Sequence, residues 1–112
     1  MEDVMGTLNW IQKWYVNQCN GNWEHSNGLR INTLDNPGWE VKISIEETVI
    51  NDNPFESIDI ERAENDWIYC KIEYEREPDV IYFVGYGGPE NLEEILIVFK
   101  NWAERQENLT EV

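Results

Sequence analysis

The chain has 112 residues, and its 23 Asp and Glu against 8 Lys and Arg give a formal net charge of −15. This balance excludes a nucleic-acid-binding module, since phosphate binding needs a basic patch, and it disfavours binding to an anionic membrane surface. Six Trp, five Tyr and three Phe are too many aromatic residues for an acidic disordered chain. We therefore expect one folded domain over residues 1–112.

The sequence contains no recognisable targeting segment. No apolar run approaches the ~20 residues that span a bilayer. The N-terminal sequence MEDVMGTLNW lacks the basic and apolar regions of a signal peptide. We therefore expect a cytoplasmic protein in which Cys19 and Cys70 are reduced thiols.

The first segment is predicted to be a helix, because its apolar residues recur at helical spacing. Its apolar stripe, widened on the adjacent face by two tryptophans, consists of Val4, Leu8, Ile11, Tyr15, Trp10 and Trp14. We expect the helix to end near Gln18, since the sequence NGN that follows contains residues that tolerate left-handed backbone geometry.

After this helix the apolar residues alternate with polar ones, which is typical of half-buried strands. Five segments show the alternation, at residues 29–33, 39–45, 58–60, 67–74 and 80–86. The sequence DNPG predicts a hairpin between the first two, with Pro37 at position i+1 of a type II turn and Gly38 at positive φ at position i+2. A second loop, at residues 51–54, leads to the third segment. The fifth segment has few polar residues, and we expect it to be covered on both faces.

The last segment is predicted to be a second long helix. Asn91 and Glu94 have the N-x-x-E spacing of a capping box. The apolar residues that follow at helical spacing are Leu92, Ile95, Leu96, Phe99 and Trp102. The order of helix, strands and helix predicts an α+β fold, with a largely antiparallel, meander-like five-stranded sheet flanked by an N-terminal and a C-terminal helix.

If both helices cover one face of the sheet, the other face is open to water or to a partner. The alternation predicts a core that includes Leu8, Ile11, Ile43, Ile60, Ile72, Leu96, Phe99, Trp10, Trp14, Trp39 and Trp102. It places on the open face Glu40, Lys42, Asp59, Glu61, Trp67, Tyr69 and Glu73. Aromatic residues on such a face are typical of interfaces. A loop or an extension of the sheet that covers Trp67 and Tyr69 is the alternative.

Catalytic and metal-binding patterns are weak, and we predict no enzyme activity, no cofactor and no metal site. Cys70 and Arg76 have the C-x5-R spacing of thiol phosphatases. However, the residues between them are large or acidic and alternate as in a strand, so they cannot cradle an anion. Cys19 and His25 would supply two ligands, whereas a structural zinc site needs four.

The motifs taken together resemble one known family. The W-x3-W-Y helix, DNPGW, NDW and GGPxNLxE, spread over residues 8–43, 61–73 and 87–104, are similar to the immunity protein 53 family of bacterial polymorphic toxin systems. The resemblance implies an α+β antidote that neutralises a cognate toxin domain encoded nearby and so protects the producing cell.

The acidic composition separately favours a cationic protein partner, such as a basic nuclease toxin. We predict that the partner binds a carboxylate-rich surface with aromatic anchors, formed by Asp59, Glu61, Glu64, Asp66, Trp67 and Tyr69, with Glu24 and Glu40 as further members. The alternatives are a small enzyme or ligand-binding domain with a Trp-lined pocket near Trp23 and His25, and an oligomerisation module. The oligomeric state does not follow from the sequence.

Overall fold

The computed structural model of the chain describes residues 6–48, 50, 54–75 and 80–110, the last five as backbone only. It contains a five-stranded antiparallel sheet with helices on one side. Val4, residues 51–53 and Arg76 therefore lie outside the described residues. The elements in chain order are α1 (Thr7–Gln18), α2 (Trp23–Ser26), β1 (Leu29–Leu34), β2 (Gly38–Ser44), β3 (Ile58–Ala63), β4 (Asp66–Glu75), β5 (Val80–Gly87) and α3 (Leu92–Thr110). The predicted α+β class is confirmed.

The strand order is β1-β2-β5-β4-β3, and each neighbouring pair is antiparallel. The meander-like sheet therefore consists of two units, the β1–β2 hairpin and the consecutive strands β3, β4 and β5. The pairing of β5 with β2 joins the two units. β5 is the central strand, and it is covered on both faces as expected: Phe83 is buried on one face and Val84 on the other.

Both long helices lie on the same face of the sheet. α3 contacts β2, β5 and β4, and α1 packs against α3. The core between these layers contains the predicted residues Ile11, Ile43, Leu96 and Phe99. Of the four tryptophans predicted in the core, Trp14 and Trp102 are buried and Trp10 and Trp39 are half-buried against it, while Ile72 is also half-buried.

Two residues predicted in the core are exposed instead. Leu8 is 64% exposed, because the buried side of α1 runs through Ile11 and Trp14 and leaves Leu8 at its margin. A buried tryptophan removes more apolar area from water than a leucine, which favours this orientation of α1. Ile60 is 38% exposed, because it lies on the edge strand β3, beyond the strands that α3 covers.

The two predicted chain reversals differ in how they use glycine. α1 ends at Gln18 as predicted, and Gly21 in the loop that follows has a φ of +95°. Gly38 does not have positive φ, so the predicted type II turn is wrong; residues 35–37 form the turn and Gly38 is already the first residue of β2. A Cβ at this position would collide with the backbone oxygen of Gly87, so close strand approach is what requires glycine there.

Three tryptophan side chains tie loops to the core through their indole N–H groups. Trp23 donates to the carbonyl of Glu46 at 2.8 Å, and Trp39 donates to that of Pro89 at 2.9 Å. Trp102 donates to the carbonyl of Pro54 at 2.9 Å. Each indole therefore buries its apolar ring while satisfying its donor, which holds the loops around the sheet in place.

Candidate functional site

The face of the sheet that carries no helix is the candidate site, and we call it the open face. Strand register places residues of four strands in rows across it, among them the row Glu40–Tyr86–Tyr69–Asp59. All seven residues that the alternation assigns to this face lie on it: Glu40, Lys42, Asp59, Glu61, Trp67, Tyr69 and Glu73. The sheet therefore brings carboxylates and aromatic rings from distant parts of the sequence onto one surface.

An aromatic pair lies in the middle of the open face. The rings of Tyr69 and Tyr86 are stacked, with centroids 6.3 Å apart and planes inclined by 15°. Burial, and then the charges of Glu40 and Glu73, raise the pKa of Tyr86, so this hydroxyl stays neutral. Trp67 and Tyr69 are half-buried, and both line a shallow cavity at the surface of this face. The open-face interpretation is thus favoured over the covered alternative.

One end of the open face, which we call the acidic end, is a shallow cavity of about 270 Å³ beside the edge strand β3. Its polar and aromatic lining consists of Asp59, Glu61, Glu64, Trp67 and Tyr69. No Lys or Arg lines it. Five of the six main residues predicted for the partner surface are therefore neighbours around one cavity, and every charged residue in the lining of that cavity is acidic.

The lysines of the open face have partners within it. The Nζ of Lys42 lies 2.9 Å from Glu75 and 4.7 Å from the centroid of the Tyr82 ring. The Nζ of Lys71 lies 5.8 Å from the centroid of the Tyr69 ring. In the register, Val84 lies between these two lysines and is fully buried, since long lysine side chains shield apolar surface with their methylene groups. The centre of the open face is thus a packed, ion-paired surface.

Asp66, the sixth predicted residue, does not line the cavity. Its Oδ1 accepts from Arg62 at 2.9 Å and from the Asn91 amide at 3.0 Å. Arg62 and Asn91 also donate to Oε1 of Glu94, at 2.6 and 3.0 Å. We call these four residues the clamp, because they fasten the β3–β4 hairpin to the start of α3. The N-x-x-E spacing located Asn91 and Glu94 at the helix start, but nothing in the sequence showed that Arg62 and Asp66 join them.

The clamp is expected to make stability depend on pH in acid. Arg62 is the main cause that lowers the pKa of both Asp66 and Glu94 from their ordinary values of 3.8 and 4.5. A carboxyl whose pKa is lowered in the folded protein binds protons more readily in the unfolded chain. Its contribution to the free energy of unfolding is therefore complete above the ordinary pKa and is lost as pH falls through the lowered pKa. We therefore expect Arg62→Gln to flatten the decline in unfolding free energy below about pH 4.5.

Urea unfolding across the acid range measures this effect. Lys100→Gln is the control, because it removes another ion pair between residues four apart, 3.5 Å from Lys100 to Glu104, outside the clamp. The control is expected to keep the wild-type acid slope. An Arg62→Gln variant with the wild-type slope would show that the clamp does not hold the two carboxyls in their charged form.

The two further residues predicted for the partner surface lie in different places. Glu40 is on the open face, directly opposite Tyr86 in the register. Glu24 is in α2, where its two carboxylate oxygens accept from the backbone N–H groups of Asn20 and Gly21 at 2.9 and 2.8 Å. A hydrogen bond from its own backbone N–H, and then these two, lower the pKa of Glu24. Glu24 is therefore occupied in holding the loop between α1 and α2, and it does not line the acidic end.

The cysteines have the character of structural thiols. Cys70 is fully buried, and burial raises the pKa of its thiol to about 12. Cys19 is half-buried and donates to the carbonyl of Tyr15 at 3.3 Å. A thiol needs ionisation and access to react.

We expect a thiol reagent to modify Cys19 first in the native protein and to reach Cys70 only on unfolding. Mass spectrometry follows the labelling of each cysteine. Rapid labelling of Cys70 in a folded Cys19→Ser variant would contradict the burial of Cys70.

A Trp-lined pocket near His25 is not formed by the described residues. Trp23 is 2% exposed and packs edge-on against Trp14, with ring centroids 6.1 Å apart, so its ring belongs to the core. The cavity beside His25 has polar walls without tryptophan. Within the described ranges, no three His, Cys, Asp or Glu residues are grouped so that they could hold a metal ion.

The chain is thus a small α+β protein whose sheet has one helix-covered face and one open face of carboxylates and aromatic rings. Within the described residues no helix has the length and apolar character of a bilayer span. The family model of immunity protein 53 matches residues 8–104, nearly the whole chain, so the chain belongs to this family of antitoxins. No curated protein and no solved structure matches it.

Proposed function

We propose that this immunity protein neutralises a cationic toxin domain by binding it at the acidic end of the open face. The observation that carries the proposal is the cavity in which Asp59, Glu61 and Glu64 surround Trp67 and Tyr69 without a Lys or Arg in the lining. The net charge of −15 adds long-range attraction for a cation. Family membership supports a toxin as the partner. The carboxylates of the open face support a toxin with positive charge.

The aromatic and acidic residues have different roles in this proposal. Trp67 and Tyr69 are half-buried before binding, so their rings are held in place and lose little conformational freedom when a partner covers them. Such rings at the centre of an interface contribute most of its binding energy. The exposed carboxylates of Asp59, Glu61 and Glu64 form the rim, where charge mainly increases the association rate.

The toxin class that this surface fits best is a basic nuclease. An enzyme that holds a phosphate backbone presents Lys and Arg along its cleft. Carboxylates placed on those same side chains compete with phosphate for them, and an aromatic ring can stack on a guanidinium plane. In this proposal the immunity protein acts by occupying the toxin's surface and performs no catalysis itself.

Co-expression with the toxin domain encoded beside the immunity gene tests the proposed function. We expect the immunity protein to restore growth of cells that produce the toxin domain and to co-purify with it as a stable complex. An unrelated toxin domain of similar positive charge is the control, and it should be neither neutralised nor co-purified. Growth arrest despite abundant folded immunity protein would contradict the proposal.

A further inference from the structure

The other end of the open face contains a second cavity, of about 300 Å³, between strand β2 and the loop that follows α2. None of its nine lining residues is Asp or Glu, although the chain contains 23 of them. The side chains in its wall that can donate hydrogen bonds include His25, Arg30, Lys42, Ser44 and Tyr82. The open face therefore has a cavity whose charged residues are all acidic near the β3 edge and a cavity without carboxylates, lined by Arg30 and Lys42, near the β1 edge.

The two cations at this cavity differ in their charge pairing. Arg30 and Lys42 lie directly opposite each other in the β1–β2 register, and like charges at opposed positions destabilise a sheet. Glu75 lies 2.9 Å from Lys42 and balances its charge. Arg30 forms no ion pair with any of the described residues, so its guanidinium retains its full donor capacity.

A buried hydroxyl also lies in the wall of this cavity. Ser44 is 3% exposed, and its Oγ accepts the backbone N–H of Gly28 at 3.2 Å. Within the described part of the chain the hydroxyl donates no hydrogen bond, so its hydrogen can be directed into the cavity. A serine hydroxyl that accepts from the protein and has a hydrogen to give is suited to an acceptor ligand.

We propose that this cavity binds an oxyanion, a phosphate or a carboxylate group on a small molecule. The guanidinium of Arg30 would donate to two of its oxygens, and the hydroxyl of Ser44 would donate to it as well. The cavity, of about 300 Å³, has room for such a group. This site is separate from the acidic end, so the proposal does not depend on toxin binding.

Amide chemical shifts of the ¹⁵N-labelled full chain test the proposal, with inorganic phosphate and acetate titrated separately against sodium chloride at matched ionic strength. We expect saturable shifts at Gly28, Arg30 and Ser44 with at least one of the two oxyanions. Arg30→Gln should weaken that affinity about tenfold or more, because it removes charge-assisted hydrogen bonds. Saturation with phosphate alone would show that the cavity prefers phosphate, whereas saturation with acetate too would show that it also binds a carboxylate.

Lys13→Gln is the matched control, because it removes the same charge from α1, outside the cavity. We expect this variant to bind the oxyanion as the wild type does. Equal weakening in Lys13→Gln and Arg30→Gln would mean that net charge alone governs the shifts, and would overturn the proposal. Linear shifts identical to those with sodium chloride, for both oxyanions, would overturn it as well.

Discussion

Phe99→Ala is expected to lower the free energy of unfolding by about 3–5 kcal/mol. Phe99 is fully buried on α3, where its ring lies edge-on to Trp14 at 5.0 Å between centroids and 5.2 Å from the ring of Phe83. It therefore joins α1, α3 and the central strand. Removing the ring leaves a cavity among rigid aromatic neighbours that cannot collapse to fill it. Urea unfolding followed by circular dichroism measures the loss.

Leu8→Ala is the control for this prediction. The leucine is 64% exposed on α1, so its truncation is expected to change the unfolding free energy by less than about 0.5 kcal/mol. Comparing the two variants distinguishes a side chain that is buried between α1, α3 and the sheet from one that only the sequence pattern places in the core. Similar losses for the two variants would contradict the position of α1 in the structure.

Trp67→Ala is expected to weaken binding of the cognate toxin by about 2–4 kcal/mol, or roughly 30-fold to 1,000-fold in Kd. The ring lines the acidic end together with Tyr69, and its removal would take away both contact area and the aromatic surface offered to a cation. Isothermal titration calorimetry or surface plasmon resonance measures the change, with circular dichroism to show that the variant is folded.

Val16→Ala is the matched control for Trp67→Ala. Val16 is 63% exposed on α1, on the side of the sheet that carries the helices, so it removes exposed apolar surface away from the open face. We expect it to bind toxin as the wild type does. A folded Trp67→Ala variant with unchanged affinity would move the interface away from the acidic end.

The sequence predicted the composition of the open face well, because strand alternation decides which side of a sheet each residue occupies. Asp59, Glu61, Trp67 and Tyr69 were assigned to one face from spacing alone, and the register of β3 and β4 confirms it. Successive side chains of a strand point to opposite faces of the sheet. This alternation is a local property of the backbone, so it does not depend on the order of the strands. Whether this face binds toxin stays a prediction.

Features that depend on contacts between distant segments could not be predicted in this way. The spacing of apolar residues on α1 does not fix the rotation of that helix, so it predicts Leu8 in the core, where the larger ring of Trp14 lies instead. The sequence predicts Asp66 in the partner surface and gives no sign of its partners, whereas Arg62 and Asn91 hold its carboxylate in the clamp. Ile60 was misplaced because alternation does not reveal which strand lies at an edge.

The most direct test of the central claim is the salt dependence of the toxin association rate for a charge-reversed acidic end. The Asp59→Lys and Glu61→Lys double variant reverses two exposed carboxylates of the cavity and leaves the clamp intact. The control is Asp35→Lys with Glu47→Lys, which makes the same change in net charge at two exposed loop positions outside the cavity.

Stopped-flow association is measured as ionic strength rises from about 0.01 to 1 M, over which the Debye length falls from about 30 to 3 Å. At low salt we expect the acidic-end variant to associate more slowly than the control by about tenfold or more, with the difference shrinking as salt rises. Equal rates and equal salt slopes for the two folded variants would contradict the account, because they would show that the toxin responds to the total charge of the chain and not to the acidic end.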